Sequence, residues 1–122
     1  MKLRFALIIG LTFITAANAA KLDCSNKANV PAIAKHMDNW SIIATNIGTI
    51  PMIKVFSGKD LTYTAAALPK NSKNTVTIKK KTGEVRVKAE HKDNFDISVT
   101  ATNACGTVTD TFNVIIDEEE QL

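Results

Sequence analysis

The sequence predicts an all-β domain, a Greek-key β-sandwich of about seven strands that follows a signal peptide. Three observations carry this. Apolar and polar residues alternate with period two in run after run from Ile42 onward, the pattern of strands with one buried and one wet face. Clusters of Gly, Asp, Asn and Ser punctuate those runs, which recur at intervals of roughly 8–12 residues, as in sandwiches and barrels. The first residues obey different rules and read as a leader.

Lys2 and Arg4 form a basic start, Phe5 to Ala17 is apolar apart from Gly10, Thr12 and Thr15, and Ala17-Asn18-Ala19 offers small residues. A basic flank, a short apolar segment and an A-x-A exit describe a secretory signal peptide, with cleavage between Ala19 and Ala20. An uncleaved anchor is the competing reading, but the run falls short of the about 20 residues that span a bilayer. Asp23 stands directly before Cys24, where lipoprotein signals carry a small residue. Residues 20–122 then form one domain, large enough to bury a core without a metal. Removing Lys2 and Arg4 leaves 13 basic residues against 12 acidic. Such a balance argues for neither nucleic acid nor an anionic membrane as partner. The expected location is the periplasm or the outside of the cell, with no stable membrane anchor after cleavage.

Along the domain, Val30 to Met37 fits a first edge strand or one helical turn, because Pro31 and the alanines pull in different directions. Ile47 to Phe56 is one β-rich run interrupted by Gly48 and Pro51. Leu61 to Ala65, Thr75 to Ile78 and Glu84 to Ala89 alternate. Phe95 to Thr102 is the clearest strand, with Phe95, Ile97, Val99 and Ala101 on one side. Thr107 to Asp117 closes the domain with Val108, Phe112, Val114 and Ile116 in phase. Thr82-Gly83 suggests a tight hairpin whose Gly takes the left-handed position. Asp117 to Glu120 reads as a solvated acidic tail.

From about Val55 to Ile116 the chain resembles the bacterial Ig-like and dystroglycan-type cadherin-like families of surface and exported proteins. The residues that carry the likeness are Leu61-Thr62-Tyr63-Thr64-Ala65, Leu68-Pro69, Thr82-Gly83-Glu84-Val85, Val99-Thr100-Ala101-Thr102-Asn103 running into Gly106, and Thr111-Phe112-Asn113-Val114. Their order, more than any one of them, makes the match. Two departures stand out: Lys70-Asn71-Ser72 follows Leu68-Pro69 where a Gly-Leu step is usual, and Asn94 stands where a Gly precedes the Phe95 strand. The resemblance implies an Ig-like or cadherin-like sandwich acting as a binding or structural module.

Two cysteines, Cys24 and Cys105, are natural partners in an oxidising compartment. In a seven-strand sandwich of this type the first strand starts at the end where the last two are joined, so both thiols belong at one pole. An intramolecular bond closing about 80 residues is worth roughly 4 kcal/mol in the chain-entropy model. An intermolecular bridge and free thiols remain the alternatives. No Cys-x-x-Cys spacing suggests redox catalysis.

No catalytic constellation is legible. His36 falls in the ambiguous N-terminal segment, and His91 in a polar turn beside Glu90, Lys92 and Asp93, where solvation is its simplest fate. Motifs for nucleophile activation or zinc are missing. Calcium is not expected either, since Asp60, Asp96 and Asp110 stand apart in sequence while a calcium cage needs six or more clustered oxygens. No cofactor is implied. Lys79-Lys80-Lys81, with Arg86 and Lys88 across the turn, could meet an anionic partner or simply keep an exposed hairpin from aggregating. Aromatic interleaving for nucleic-acid bases is lacking. Trp40, flanked by Ile42 and Ile43, suits the core or its margin better than a sugar-stacking surface.

The expectation is therefore an exported non-catalytic module that engages an unidentified protein or glycan. Its candidate binding loop is Asn103, Ala104 and Gly106, rigidified by the disulfide. A small secreted inhibitor or effector acting on another organism's protein is the alternative.

Overall fold

The structure is a computed structural model and describes residues 21–70 and 73–119. The expected leader, 1–19, and its cleavage point between Ala19 and Ala20 lie outside the described residues. A 3-10 turn, Lys27–Asn29, comes first. The strands are β1 (Ala32–Ile33), β2 (Trp40–Ile43), β3 (Ile47–Ile50), β4 (Phe56–Ser57), β5 (Thr62–Leu68), β6 (Thr75–Ile78), β7 (Val85–Lys88), β8 (Asp93–Asn103) and β9 (Gly106–Asp117).

One layer is a four-stranded sheet in the order β2-β9-β8-β5, the other a three-stranded sheet in the order β3-β7-β6, and β1 pairs with β4 in a short ribbon. All pairings are antiparallel except β2 with β9, which run parallel with Ile42 opposite Ile116. The N-terminal segment thus contributes two short pieces, β1 to the ribbon with β4 and β2 to the edge of the four-stranded sheet. Counting β1 with β2 and β3 with β4 as interrupted strands recovers the seven the sequence predicts.

The interruptions have local causes. Pro51 follows β3 directly and supplies no N–H to a ladder. Lys54 then takes a positive φ of 69°, and the chain re-enters extended structure only at Phe56. Gly48 does not break its strand. It faces inward opposite Val87, and a Cβ there would come within 2.5 Å of Ile42 Cδ1. This glycine makes room for the isoleucine of the opposite sheet.

The core lies between the layers. Phe95, Ile97, Val99 and Ala101 of β8 and Phe112, Val114 and Ile116 of β9 are buried, facing Val85 and Val87 of β7 and Ile50 of β3. Their alternates form a wet face of hydroxyls, on which Thr100 Oγ1 lies 2.9 Å from Thr109 Oγ1 and Thr102 Oγ1 lies 3.1 Å from Thr107 Oγ1. These cross-strand pairs satisfy one another while leaving the face hydrated.

Candidate functional site

The predicted loop sits at a pole tied together covalently and by hydrogen bonds. Cys24 and Cys105 form a disulfide with an S–S distance of 2.05 Å and a Cα–Cα distance of 5.4 Å. Asn26 caps the adjacent 3-10 turn, its side chain accepting from the Ala28 N–H. Asn29 Nδ2 donates to the Asp23 carbonyl at 2.9 Å. The hydroxyl and then the N–H of Ser25, at 2.6 and 3.1 Å, hold the Asp23 carboxyl below its ordinary value.

Asn103 is the hub. Its Nδ2 donates to the Asn29 carbonyl at 2.6 Å and the Lys59 carbonyl at 2.8 Å, and its Oδ1 accepts from the Cys105 N–H at 2.7 Å. An amide has two protons to give, and here both are spent joining three segments of chain. Ala104 and Gly106, by contrast, face solvent. Gly106 has φ +147°, and no atom lies within 4 Å of where a Cβ would stand. The loop therefore divides between one internal clasp and two exposed positions.

The basic loop shares this pole. The Tyr63 N–H donates to the Lys80 carbonyl at 2.9 Å, so the β6–β7 connection lies beside the start of β5. This connection is longer than the tight Thr82-Gly83 hairpin read from sequence. Lys79 N–H donates to the Glu84 carbonyl, and Gly83 N–H to the Lys79 carbonyl at 2.8 Å, enclosing residues 80–83. Gly83 does take the left-handed conformation, at φ +79°. Lys79 pairs with Glu84 at 3.2 Å, while Lys80 and Lys81 are exposed. Lys81 also borders a cleft with Asp60, Leu61 and Thr62.

A second surface lies beside the β3–β4 interruption. Ile53 at its crest is 74% exposed. Trp40 and Met37 line a cleft of about 250 Å³ on one side, and Phe56 and Tyr63 a cleft of about 490 Å³ on the other. Trp40 is half-buried and packs against the core margin while forming part of the first wall. The Phe56 and Tyr63 rings meet at 6.0 Å between centroids, and burial raises the Tyr63 phenol above its ordinary value of 10.0.

Asp110, apart from any partner in sequence, is buried and engaged. Its Oδ1 lies 2.7 Å from His36 Nδ1, and its Oδ2 accepts the Met37 N–H at 2.8 Å. The carboxylate thereby fastens the β1–β2 connection onto β9. At His91 the side chain is exposed, and it is the backbone that is held: Asn74, buried, accepts from the Glu90 and His91 N–H groups and donates to the His91 carbonyl. Sequence reasoning passed over Asn74, which lies in a polar stretch with no periodicity to mark it. Among the described residues, no three His, Cys, Asp or Glu side chains gather in a metal-binding group. No helix among them is long and apolar enough to cross a membrane.

No protein-family model matches the chain, and no curated protein sequence matches it. Solved structures do. Two Bacteroides fragilis proteins, described as an alpha-galactosidase and an alpha-galactosidase/melibiase, each superpose with a TM-score of 0.57, at 18% and 22% identity. In both cases the match covers 72% of this chain and spans only 18% of the larger protein. Titin domain M7 superposes with a TM-score of 0.56 at 14% identity, over 73% of this chain and 95% of the titin domain. At these identities the likeness concerns architecture alone, and the architecture is an immunoglobulin-like β-sandwich.

Proposed function

We propose that the chain is an exported, non-catalytic Ig-like module, akin to the cadherin-like domains of bacterial envelope proteins, that binds a protein or glycan through its disulfide pole. The observation that carries this reading is the Asn103 clasp. Together with the Cys24–Cys105 bond it fixes the 3-10 turn, the Lys59 connection and the β8–β9 turn in one arrangement. A surface ordered before it meets a partner loses less conformational entropy on binding. Around this fixed base stand Ala104, Gly106, Lys80 and Lys81, all exposed, and the lysines give the pole a charge suited to an anionic partner. The Ig-like neighbours fit a binding or structural role. A sandwich can host many functions, so the site and not the fold must be tested.

The test is affinity capture with residues 20–122 as bait, from envelope and culture extracts and on an array of neutral and acidic glycans. Exchange of Ala104 for Glu together with Lys80→Glu and Lys81→Glu should abolish capture while leaving the circular dichroism spectrum unchanged. Retained capture by that folded variant would move the binding surface elsewhere.

A further inference from the structure

The turn between β3 and β4 breaks two local rules. Its Val55 N–H donates to the Met52 carbonyl at 3.1 Å, which makes Ile53 and Lys54 the two central residues. Lys54, with a φ of 69°, occupies the left-handed place that such turns give to glycine or asparagine. Ile53 stands at the tip, 74% exposed, where an apolar side chain gains nothing from folding. A polar residue followed by glycine would serve the turn better on both counts. Departures of this kind concentrate where a chain meets another molecule.

The tip has a firm base. Met52 and Val55 on either side of it are buried. The Val55 carbonyl accepts from the Ala34 and Lys35 N–H groups, at 2.7 and 3.2 Å, and so ties the turn to the end of β1. Ile53 therefore projects from a fixed support, with the Met37 and Trp40 cleft on one side and the Phe56 and Tyr63 cleft on the other. Trp, Tyr, Phe and Met are the apolar residues that protein contact surfaces favour.

The charged groups around the two clefts are Lys35, His36, Asp38, Lys54, Lys79 and Glu84. Lys79 is engaged by Glu84 at 3.2 Å, and His36 by Asp110 at 2.7 Å. Lys35, Asp38 and Lys54 form no ion pair among the described residues. Two cations thus stand against one acid. Lys80 and Lys81, exposed on the connection that the Tyr63 N–H holds, add to the positive side. We infer that this face docks an acidic segment of another protein, with an apolar side chain seated on each side of Ile53 and carboxylates reaching Lys35 and Lys54. The two clefts share no lining residue with the Asn103 clasp, so the test is independent of the disulfide pole.

Peptide selection on the immobilised protein tests this. One synthetic library combines leucine and phenylalanine with glutamate, and its match carries lysine in place of glutamate. Enriched peptides are then titrated into the purified protein while the emission of Trp40, the single tryptophan, is followed. Glutamate peptides should be enriched and should shift the emission saturably, with binding that weakens as salt is added. Ile53→Ser should weaken that binding at least about tenfold, whereas Ile47→Ser, at another exposed isoleucine, should leave it unchanged. Lys54→Gly relaxes the turn, so it should raise the thermal midpoint and yet weaken binding, a combination that a purely structural lysine cannot give. Enrichment from the lysine library, no saturable shift, wild-type affinity in Ile53→Ser or Lys54→Gly, or an equal loss in Ile47→Ser overturns the inference. So does an emission that shifts with protein concentration alone, or that answers polygalacturonate and no peptide, since a second copy or an acidic glycan would then be the occupant.

Discussion

The Asp110 carboxylate lies 2.7 Å from the His36 ring, from a position on β9 in phase with buried Phe112, Val114 and Ile116. An acid on the inward register of a strand has to be met by donors. His36 and the Met37 N–H meet it, and in doing so hold the β1–β2 connection against the sandwich. Asp110→Ala leaves the Met37 N–H without its acceptor and should cost about 1–3 kcal/mol in urea unfolding. Asp110→Asn keeps one acceptor oxygen and should cost less.

Asn103→Ala removes the donors to the Asn29 and Lys59 carbonyls. A loss of about 1–3 kcal/mol is expected, together with faster amide exchange in residues 26–30. Cys24→Ser with Cys105→Ser should cost roughly 4 kcal/mol. Since both devices hold the same segment, the combined variant should fall short of additivity, which a double-mutant cycle in denaturant would read.

Gly48→Ala drives a methyl against Ile42 Cδ1 and should destabilise by about 1–3 kcal/mol, the range for overpacked cores. Ile42→Val removes that terminal methyl. In the Ile42→Val background the same Gly48→Ala change should cost less, and equal costs in both backgrounds would refute the contact.

Tyr63 is the single tyrosine of the chain, so its ionisation can be followed by ultraviolet absorbance without overlap from another phenol. Burial raises the folded-state value above 10.0. The unfolded chain therefore releases this proton first, and stability contributed by the neutral phenol is complete below pH 10.0 and declines as pH rises from there through the folded-state value. Tyr63→Phe should remove that part of the alkaline decline, measured as urea midpoints on either side of pH 10.

The sequence made the long strands legible because β8 and β9 alternate without interruption, each burying one face. It blurred the first strand, because β1 is only Ala32–Ile33 and owes its pairing to β4 more than to its own composition. The split between β3 and β4 hung on Pro51, visible from the start, and on the positive φ of Lys54, which no residue type announces. At the pole the disulfide followed from topology, but the hub role of Asn103 did not, since its partners are backbone carbonyls 74 and 44 residues away in sequence. Asp110 was the missed signal: its phase with Phe112 already required a partner, and His36 was one of two histidines that could supply it.

The covalent link also decides how the chain would respond to tension. Cys24 precedes the first described strand and Cys105 lies just before β9, so nearly the whole sandwich falls inside the bridged segment. A pull transmitted from the residues before Cys24 to those after β9 passes through the sulfur atoms and bypasses β1 to β8. Only β9 can be drawn out, lengthening the molecule by at most about 3.6 Å for each residue released, while under reducing conditions the entire domain becomes extensible. While the bridge is intact, extension under load is confined to β9.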